Sequence, residues 1–383
     1  MPGPSEYHWT FGNGCHISFP NGGDPIVEPN HAFNSGEGCA AISDQNGNLL
    51  FYTDGTNLYD ASHTQINSST TPLGGDTSAA NSAIIVPPAG GGSVYHIFAV
   101  GSSSTNQTAN NQPLKYTGVT VSGSTVTIVT PTTDVIDPVY RNDWIISESI
   151  GATAHSDCSK YWVVGLDATR NEWVKILIDS DVGPIPANIS RSDYGAPILA
   201  SNTYGMKFSS DGTMIAHANA QFPEVNPTHG TLRNRSSVDI FDFDRNTGNI
   251  SYKNQITRFP DNPTPYGLEF SPGNQYIYFT DYWHGTVYRH LIGTDEVVSN
   301  CTIIYDHTAN VGNLQLAPNG KIYGMRRNSN TLFSIDLPNA STTHVAPNTN
   351  AAMAQNQTDL GFTLNAIDSV SYTHLTLPTI LLV

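Results

Sequence analysis

A repeated stretch is the feature that most restricts what this chain can fold into. The segment YGMKFSSDG at Tyr204–Gly212 returns as a close copy, YGLEFSPGN at Tyr266–Asn274, and as a more distant one, GNLQLAPNG, that ends at Gly320. Each copy alternates apolar and polar residues, enters a turn rich in Ser, Pro, Asn and Gly, and is followed by a second apolar run. Alternation over such short runs predicts half-buried β-strands. The chain is therefore predicted to repeat a unit made of strands and turns.

The same plan recurs along almost the whole chain. The innermost strands of successive units are predicted to end 44 to 68 residues apart, at Ile42, Val86, Ala154, Phe208, Phe270, Leu316 and Phe362. Each interval is long enough for the ~40–50 residues of a four-stranded propeller blade, with the surplus in loops. We therefore predict an all-β, seven-bladed β-propeller, with six or eight blades as alternatives.

The two chain ends are predicted to share one blade. The strand at Leu360–Asp368 has no following partner, and the strands near Trp9, Ile17 and Ile26 have no inner strand of their own. Pairing them would close the ring without a long open edge, as a single domain over residues 1–369. The tail at 370–383 contains SYTHLTLPT, which resembles translated adapter sequence, so we predict a non-native tail; an outer strand is the alternative.

Charge restricts the partners that the chain can bind. It carries 16 Lys and Arg against 32 Asp and Glu, a net charge of −16. Nucleic acids and anionic membranes need clustered basic residues, so neither is a predicted partner. No run reaches the roughly 18 apolar residues of a membrane span. The start, MPGPSEYHW, lacks the features of a signal peptide, from which we expect a trimmed signal or a fragment.

The four cysteines are Cys15, Cys39, Cys158 and Cys301, and they stand singly without the spacing of a zinc site. The sequence allows two interpretations of them. They are buried thiols, or they form one or two disulfides.

With these strands in place, several stretches carry a resemblance to a known family. HWTFGNGCHISF, EGCAAISDQNGNLLFYTDG, SAIIVPP and IFDFDRNTGNIS resemble a propeller module of large secreted surface proteins of gliding bacteria, within the WD40- and YVTN-type propellers. The resemblance covers nearly all of residues 7–369. It implies a secreted or cell-surface location and a binding or structural role within a larger, adhesin-like or gliding-associated protein. It brings no catalytic residues and no cofactor.

One segment is typical of a calcium loop at first sight. Asp242, Asp244, Asn246 and Gly248 alternate oxygen-bearing residues, but the glycine comes one position late, and Lys253 stands where a glutamate ligand is needed. Asn and Gly favour positive φ, and Asp bonds to its own turn. We predict a tight turn rather than a cation site.

Other catalytic or metal sites have weak support in the sequence. The thirteen histidines stand singly in the sequence. A metal site with ligands from several blades around a central channel, as in propeller lactonases, is the alternative. The histidines considered for it are His63, His96, His155, His217, His284 and His307. A sialidase-like site would need an arginine cluster and a turn motif that Ser43–Gly47 does not match; the arginines considered are Arg141, Arg191, Arg233, Arg235 and Arg289. No G-x-S-x-G elbow is present. We predict no catalytic residue, no metal ligand and no cofactor.

Aromatic residues near strand ends are the strongest candidates for binding. Tyr282, Trp283 and His284 directly follow a second strand, and Tyr194, Tyr204 and Tyr266 lie at or before inner strands. Such rings stack on sugars and peptide side chains, but they could equally pack between blades.

We therefore predict an extracellular or cell-surface binding or scaffold module for a protein or carbohydrate ligand. Its ligand would be held by the long loops at 101–113, 180–202 and 221–236. The alternative is a hydrolase or lactonase with its site in the channel. Three or more convergent Asp, Glu or His side chains around a void would favour that alternative.

Overall fold

The computed structural model describes residues 4–29, 33–101, 113–141, 146–167, 170–195, 202–220, 236–256, 264–293, 301–305, 310–327, 329, 331–342 and 344–346. These residues form seven antiparallel sheets, numbered as blades in chain order. Only three short 3-10 helices accompany them in the described residues: Pro4–Glu6, Pro20–Gly22 and Pro186–Asn188. None of these helices is long and apolar enough to cross a membrane.

Blade 1 has three described strands, β1 (His8–Phe11), β2 (Cys15–Ser18) and β3 (Ile26–Val27). Blade 2 also has three, β4 (Ala40–Ser43), β5 (Leu49–Thr53) and β6 (Leu58–Asp60). Blade 3 has four strands, β7 (Ala83–Val86), β8 (Val94–Ala99), β9 (Lys115–Ser122) and β10 (Thr125–Asp134). Blade 4 has four strands, β11 (Ile146–Ala154), β12 (Tyr161–Asp167), β13 (Glu172–Ile178) and β14 (Ile189–Asp193). Blade 5 contains β15 (Asn202–Phe208), β16 (Met214–Ala220), β17 (Ser237–Asp244) and β18 (Asn249–Ile256). Blades 6 and 7 contain β19 (Pro265–Phe270), β20 (Tyr276–Asp281), β21 (Val287–Leu291) and β22 (Cys301–Tyr305); β23 (Val311–Leu316), β24 (Ile322–Arg326), β25 (Leu332–Asp336) and β26 (His344–Ala346).

The seven sheets stand in a ring, which confirms the predicted all-β, seven-bladed propeller. Six of the predicted innermost strands are the first strands of their sheets, and each contacts the first strand of the next blade along the series β4, β7, β11, β15, β19 and β23. The described side chains of these strands are almost entirely buried, as strands covered on both faces require. The seventh predicted inner strand, Leu360–Asp368, and the tail at 370–383 lie outside the described residues.

The N-terminal strands form blade 1 and close the ring; their predicted pairing with Leu360–Asp368 falls outside the described residues. Trp9 and Phe19 belong to a buried cluster that also holds Tyr323 of blade 7 and Tyr52 of blade 2. The Trp9 ring lies 4.6 Å from the Phe19 ring and 6.0 Å, edge to face, from the Tyr323 ring. Blade 1 therefore packs between blade 2 and blade 7.

The repeated segments become a first strand, a turn and a second strand. In the first two copies a fully buried serine follows the strand, and its hydroxyl accepts backbone N–H groups across the turn, Ser209 from Met214 at 2.9 Å and Ser271 from Tyr276 at 3.0 Å. Gly212 and Asn274 then take positive φ values of 72° and 56°. The Ser and Gly or Asn of the repeat are thus explained by turn geometry.

Strand direction alternates within a blade, so the connections from second to third strand and from each blade to the next share one face of the ring. We call this side the loop face. Two of the predicted long loops, 101–113 and 221–236, are second-to-third connections on the loop face, and most of their residues lie outside the described ranges. The predicted loop at 180–202 was wrong as a single loop. It contains β14, whose outer-edge pairing with β13 satisfies its backbone.

All four cysteines are thiols, with no disulfide among them. Cys15, Cys39 and Cys301 are buried, in agreement with the first of the two interpretations that the sequence left open.

Candidate functional site

The segment Asp76–Ser82 lies across the loop-face end of the central channel, and we call it the channel plug. It links blade 2 to blade 3, yet it contacts blades on the far side of the ring. The Ala80 N–H donates to Oε2 of Glu148 in blade 4 at 2.7 Å, and the Ala80 carbonyl accepts from Asn313 in blade 7 at 3.4 Å. Ala80 also packs on Tyr266 in blade 6. Ala80 lies in the connection before blade 3 and yet contacts blades 4, 6 and 7, so it must lie near the channel axis.

Small residues allow the channel plug to lie close to the backbone at Gly38 and in the channel. The Gly38 N–H donates to the Ala79 carbonyl at 2.9 Å, and a Cβ on Gly38 would lie 2.2 Å from the Ser82 nitrogen. Ala79 and Ala80 are fully buried. A side chain at position 38 would therefore push the plug out of the channel.

The acidic side chains near the channel are already engaged by other groups. Glu37 accepts from the Tyr266 hydroxyl at 2.8 Å, and Glu148 accepts from the channel plug. Glu269 accepts from the Leu316 N–H at 2.8 Å and pairs with Lys207 at 3.3 Å. Within the described ranges, no group of three His, Cys, Asp or Glu side chains could hold a metal ion. The convergent cluster that would favour a channel enzyme is thus not found in this part of the chain.

Three aromatic rings continue outward from the channel plug, and we call Tyr266, Tyr282 and Trp283 the aromatic step. Tyr266 packs against Ala80, and the Tyr282 ring packs against this pair with its centre 5.5 Å from that of Tyr266. The Trp283 ring stands nearly perpendicular to that of Tyr282, at 84° and 4.8 Å. Burial falls along the series, since Tyr266 is 3% exposed and Trp283 is 52% exposed. The aromatic step therefore leads from the closed channel to solvent.

A buried carboxylate fixes the outer end of the aromatic step. Asp281 ends β20 and is fully buried; its Oδ1 accepts the N–H groups of Thr264 and Trp283, both at 3.1 Å. Its Oδ2 lies 2.5 Å from Nδ1 of His284, whose side chain is 58% exposed. Arg327, from the corresponding turn of blade 7, donates to the Tyr282 hydroxyl at 3.5 Å. The turns of blades 6 and 7 thus place an indole, an imidazole and a guanidinium on the loop face.

The candidate aromatic residues divide into two groups. Tyr282, Trp283 and His284 lie together at the channel mouth with Tyr266 beneath them, as a binding site requires. Tyr194 is 1% exposed and packs between blades, so the alternative that the sequence allowed is correct for this residue. The placement of the Tyr204 side chain lies outside the described part of the structure.

A buried polar network joins blades 4 and 5, and the sequence did not reveal it. The two ring nitrogens of His217 lie 2.9 Å from the Ser149 hydroxyl and 2.7 Å from the Tyr194 hydroxyl. Tyr194 also donates to Asp239 at 2.6 Å. Burial lowers the pKa of His217 to about 3 and raises that of Asp239. Ser149, His217 and Asp239 are all fully buried, so no substrate reaches this serine and the network holds blades together.

Three further histidines considered in the sequence have hydroxyl or carbonyl partners in different blades. His63 contacts the Tyr52 hydroxyl at 3.1 Å, His96 contacts the Tyr116 hydroxyl at 3.0 Å, and His155 contacts the Asn246 carbonyl at 2.9 Å. Both ring nitrogens of His217 contact hydroxyl groups, whereas only Nδ1 of His96 does. His307 lies outside the described residues.

The predicted turn at 242–248 and the arginines also have structural roles. Asp244 accepts from the Asn246 N–H at 2.9 Å and from the Thr247 hydroxyl at 2.7 Å, and Gly248 has a φ of 72°, which confirms the turn. Arg191 is paired with buried Asp137 and Asp167, away from the aromatic step. Arg289 lies over the Tyr276 ring, and Arg233 and Arg235 lie outside the described ranges.

No protein-family model matches the sequence, and no curated protein matches it. Among solved structures, the chain is similar to a protein of Bacteroides fragilis NCTC 9343 described as a 6-phosphogluconolactonase, with a TM-score of 0.57 and 12% identity over 94% of this chain and 98% of that chain. It is also similar to the β-propeller domain of Cps50 (Swd1) from Myceliophteria thermophila (TM-score 0.49, 9% identity, 85% and 94% covered). The periplasmic gluconolactonase of Pseudomonas aeruginosa is a third similar structure (TM-score 0.49, 12% identity, 94% and 99% covered). At these identities the similarity shows the propeller fold alone.

Proposed function

We propose that this chain is a binding module that holds its ligand on the loop face, at the aromatic step. The observation that carries this proposal is the combination of a plugged channel mouth with an exposed indole directly beside it. The channel plug fills the place where a channel ligand would enter, and the Trp283 ring is presented to solvent on a rigid turn. Rigid Trp, Tyr and Arg side chains are the residues that most often dominate binding energy.

The turn geometry supports a binding role for Trp283 because it reduces the entropy that binding would cost. Its backbone N–H is held by buried Asp281, and its ring rests on Tyr282, which in turn packs on Tyr266. A side chain that is already ordered loses little freedom when a ligand binds. An exposed aromatic ring without such support would lose more.

The location and context of the module form part of the proposal. The resemblance of the blade 1 and blade 2 segments to secreted propeller modules supports an extracellular or cell-surface location within a larger, adhesin-like or gliding-associated protein. The net charge of −16 supports a ligand other than nucleic acid.

Hydrolysis of a lactone in the channel is the competing function, since the similar Bacteroides fragilis protein is described as a 6-phosphogluconolactonase. Two features favour binding instead. The described carboxylates near the channel are each engaged by a backbone N–H, a tyrosine or a lysine. The channel plug also occupies the mouth through which a lactone would pass from the loop face.

Replacing Trp283 by Ala is expected to abolish most ligand binding without unfolding the protein. The intact chain would be applied to an array that carries both oligosaccharides and peptides, and its Kd for each retained probe measured. Losing an exposed anchor of this kind should weaken binding about ten-fold or more. The matched control is Tyr252→Ala, because Tyr252 is 44% exposed on the outermost strand β18. Equal binding by the two variants would contradict the proposed site.

A further inference from the structure

We infer that the ligand of the aromatic step is an uncharged oligosaccharide. This inference rests on the proposed function and adds the chemical class of the ligand. It depends on three properties of the described residues: the shape of the aromatic surface, the hydrogen-bonding groups beside it, and the charge around it.

The shape of the aromatic step matches a sugar ring better than a peptide. Trp283 is 52% exposed, and the Tyr282 ring stands at 84° to the indole with ring centres 4.8 Å apart. A pyranose has one face of C–H groups that can lie on the indole, and the tyrosine ring would stand beside its edge. Peptides are usually held by an exposed strand edge or an apolar groove. Among the described residues, the aromatic step forms a corner at the end of a turn, with neither a strand edge nor an apolar groove beside it.

Two nitrogen-bearing side chains, His284 and Arg327, lie beside the aromatic step. Nδ1 of His284 faces Asp281, so Nε2 is the ring nitrogen on the outer side. Arg327, whose side chain is exposed, donates to the Tyr282 hydroxyl. A sugar hydroxyl both donates and accepts, so it can pair with Nε2 of His284 whichever role that nitrogen takes.

Charge argues against an acidic polysaccharide at this site. The chain has a net charge of −16, and Glu37 lies directly beneath the aromatic step, bonded to Tyr266. One arginine beside the indole would have to offset the repulsion of several carboxylates or sulfates on such a polymer. Uncharged sugars carry no such penalty, and their binding should respond little to salt.

The test uses the intact chain and a defined set of probes. The neutral probes are cellohexaose, xylohexaose and mannohexaose, the acidic probes are hexagalacturonate and a heparin hexasaccharide, and the peptide probes are hexapeptides with aromatic or acidic residues. Titration is followed by tryptophan fluorescence and repeated by calorimetry for Trp283→Ala, Trp283→Phe and Tyr252→Ala. Thermal melting of each variant checks that it is folded.

We expect at least one neutral hexasaccharide to bind, with a Kd that changes less than about two-fold between low and high salt. Trp283→Ala should weaken this binding about ten-fold or more, whereas Trp283→Phe should retain most of it because a stacking face remains. Tyr252→Ala should bind like the unmodified chain.

The other outcomes separate this inference from the proposed function. Binding of acidic sugars or peptides alone, lost in Trp283→Ala, would overturn the inference and leave the binding module intact. Binding that is equally strong in the unmodified chain and in Trp283→Ala would overturn both the inference and the proposed function. If no probe binds, the assignment of an uncharged oligosaccharide is overturned.

Discussion

A chain that lacks residues 1–29 is expected to lose cooperative folding altogether. Blade 1 carries Trp9, Phe11 and Phe19, all essentially fully buried between blade 2 and blade 7. Truncating a single core aromatic to Ala costs ~3–5 kcal/mol, and whole domains are stable by only ~5–15 kcal/mol. Removing the sheet would also expose the faces of blade 2 and blade 7. We therefore expect no sharp unfolding transition in thermal melting or in urea.

The matched control is a chain that ends at residue 369, since the tail at 370–383 is predicted to lie outside the propeller. Its melting temperature should equal that of the full chain. A point variant, Trp9→Ala, should keep the fold but lower its free energy of unfolding by about 3–5 kcal/mol. A chain without residues 1–29 that melts like the full protein would show that blade 1 does not close the ring.

Acidification from pH 7 to pH 5 is expected to reduce the free energy of unfolding by several kcal/mol. Burial lowers the pKa of His96 to about 4 and that of His217 to about 3, against ~6.5 in an unfolded chain. Between these values the unfolded chain binds more protons than the folded one, so stability falls as pH decreases from about 6.5 towards the folded-state pKa. At pH 5 each histidine should account for about 2 kcal/mol of the loss.

Urea unfolding of His96→Gln at the two pH values tests this assignment. The variant lacks the titrating imidazole, so its loss of stability between pH 7 and pH 5 should be smaller by about 2 kcal/mol. Tyr116→Phe is the control, because it removes the hydroxyl that contacts His96 and keeps the imidazole buried. That variant should retain the full pH dependence. An unchanged loss in His96→Gln would show that other groups govern acid unfolding.

Much of the fold could be predicted because the repeat is local. YGMKFSSDG and YGLEFSPGN each specify a strand, a serine-capped turn and the start of a second strand within nine residues. The loop predicted at 180–202 failed for the opposite reason. β14 is an edge strand that alternates little, and its pairing with β13 is visible only in the sheet.

The candidate site could be predicted only in part. Trp283 and His284 stand out because they follow a strand end, but Tyr194 follows a strand as well and is buried by partners on β16 and β17. The channel plug was missed because Asp76–Ser82 has the composition of an ordinary connection. Its one local signal is the pair of alanines, and their role depends on Gly38, Glu148 and Asn313 from three other blades.

Hydrogen-exchange mass spectrometry of the intact chain, with and without a saturating bound hexasaccharide, tests most directly whether the ligand lies on the loop face above a closed channel. We predict slower exchange on binding in peptides that cover 279–286 and 322–327, around Tyr282, Trp283 and Arg327. Peptides around Lys207, Glu269 and Gln315, deeper in the channel, should exchange as before. Protection confined to these deeper residues would contradict the proposal and place the ligand inside the channel.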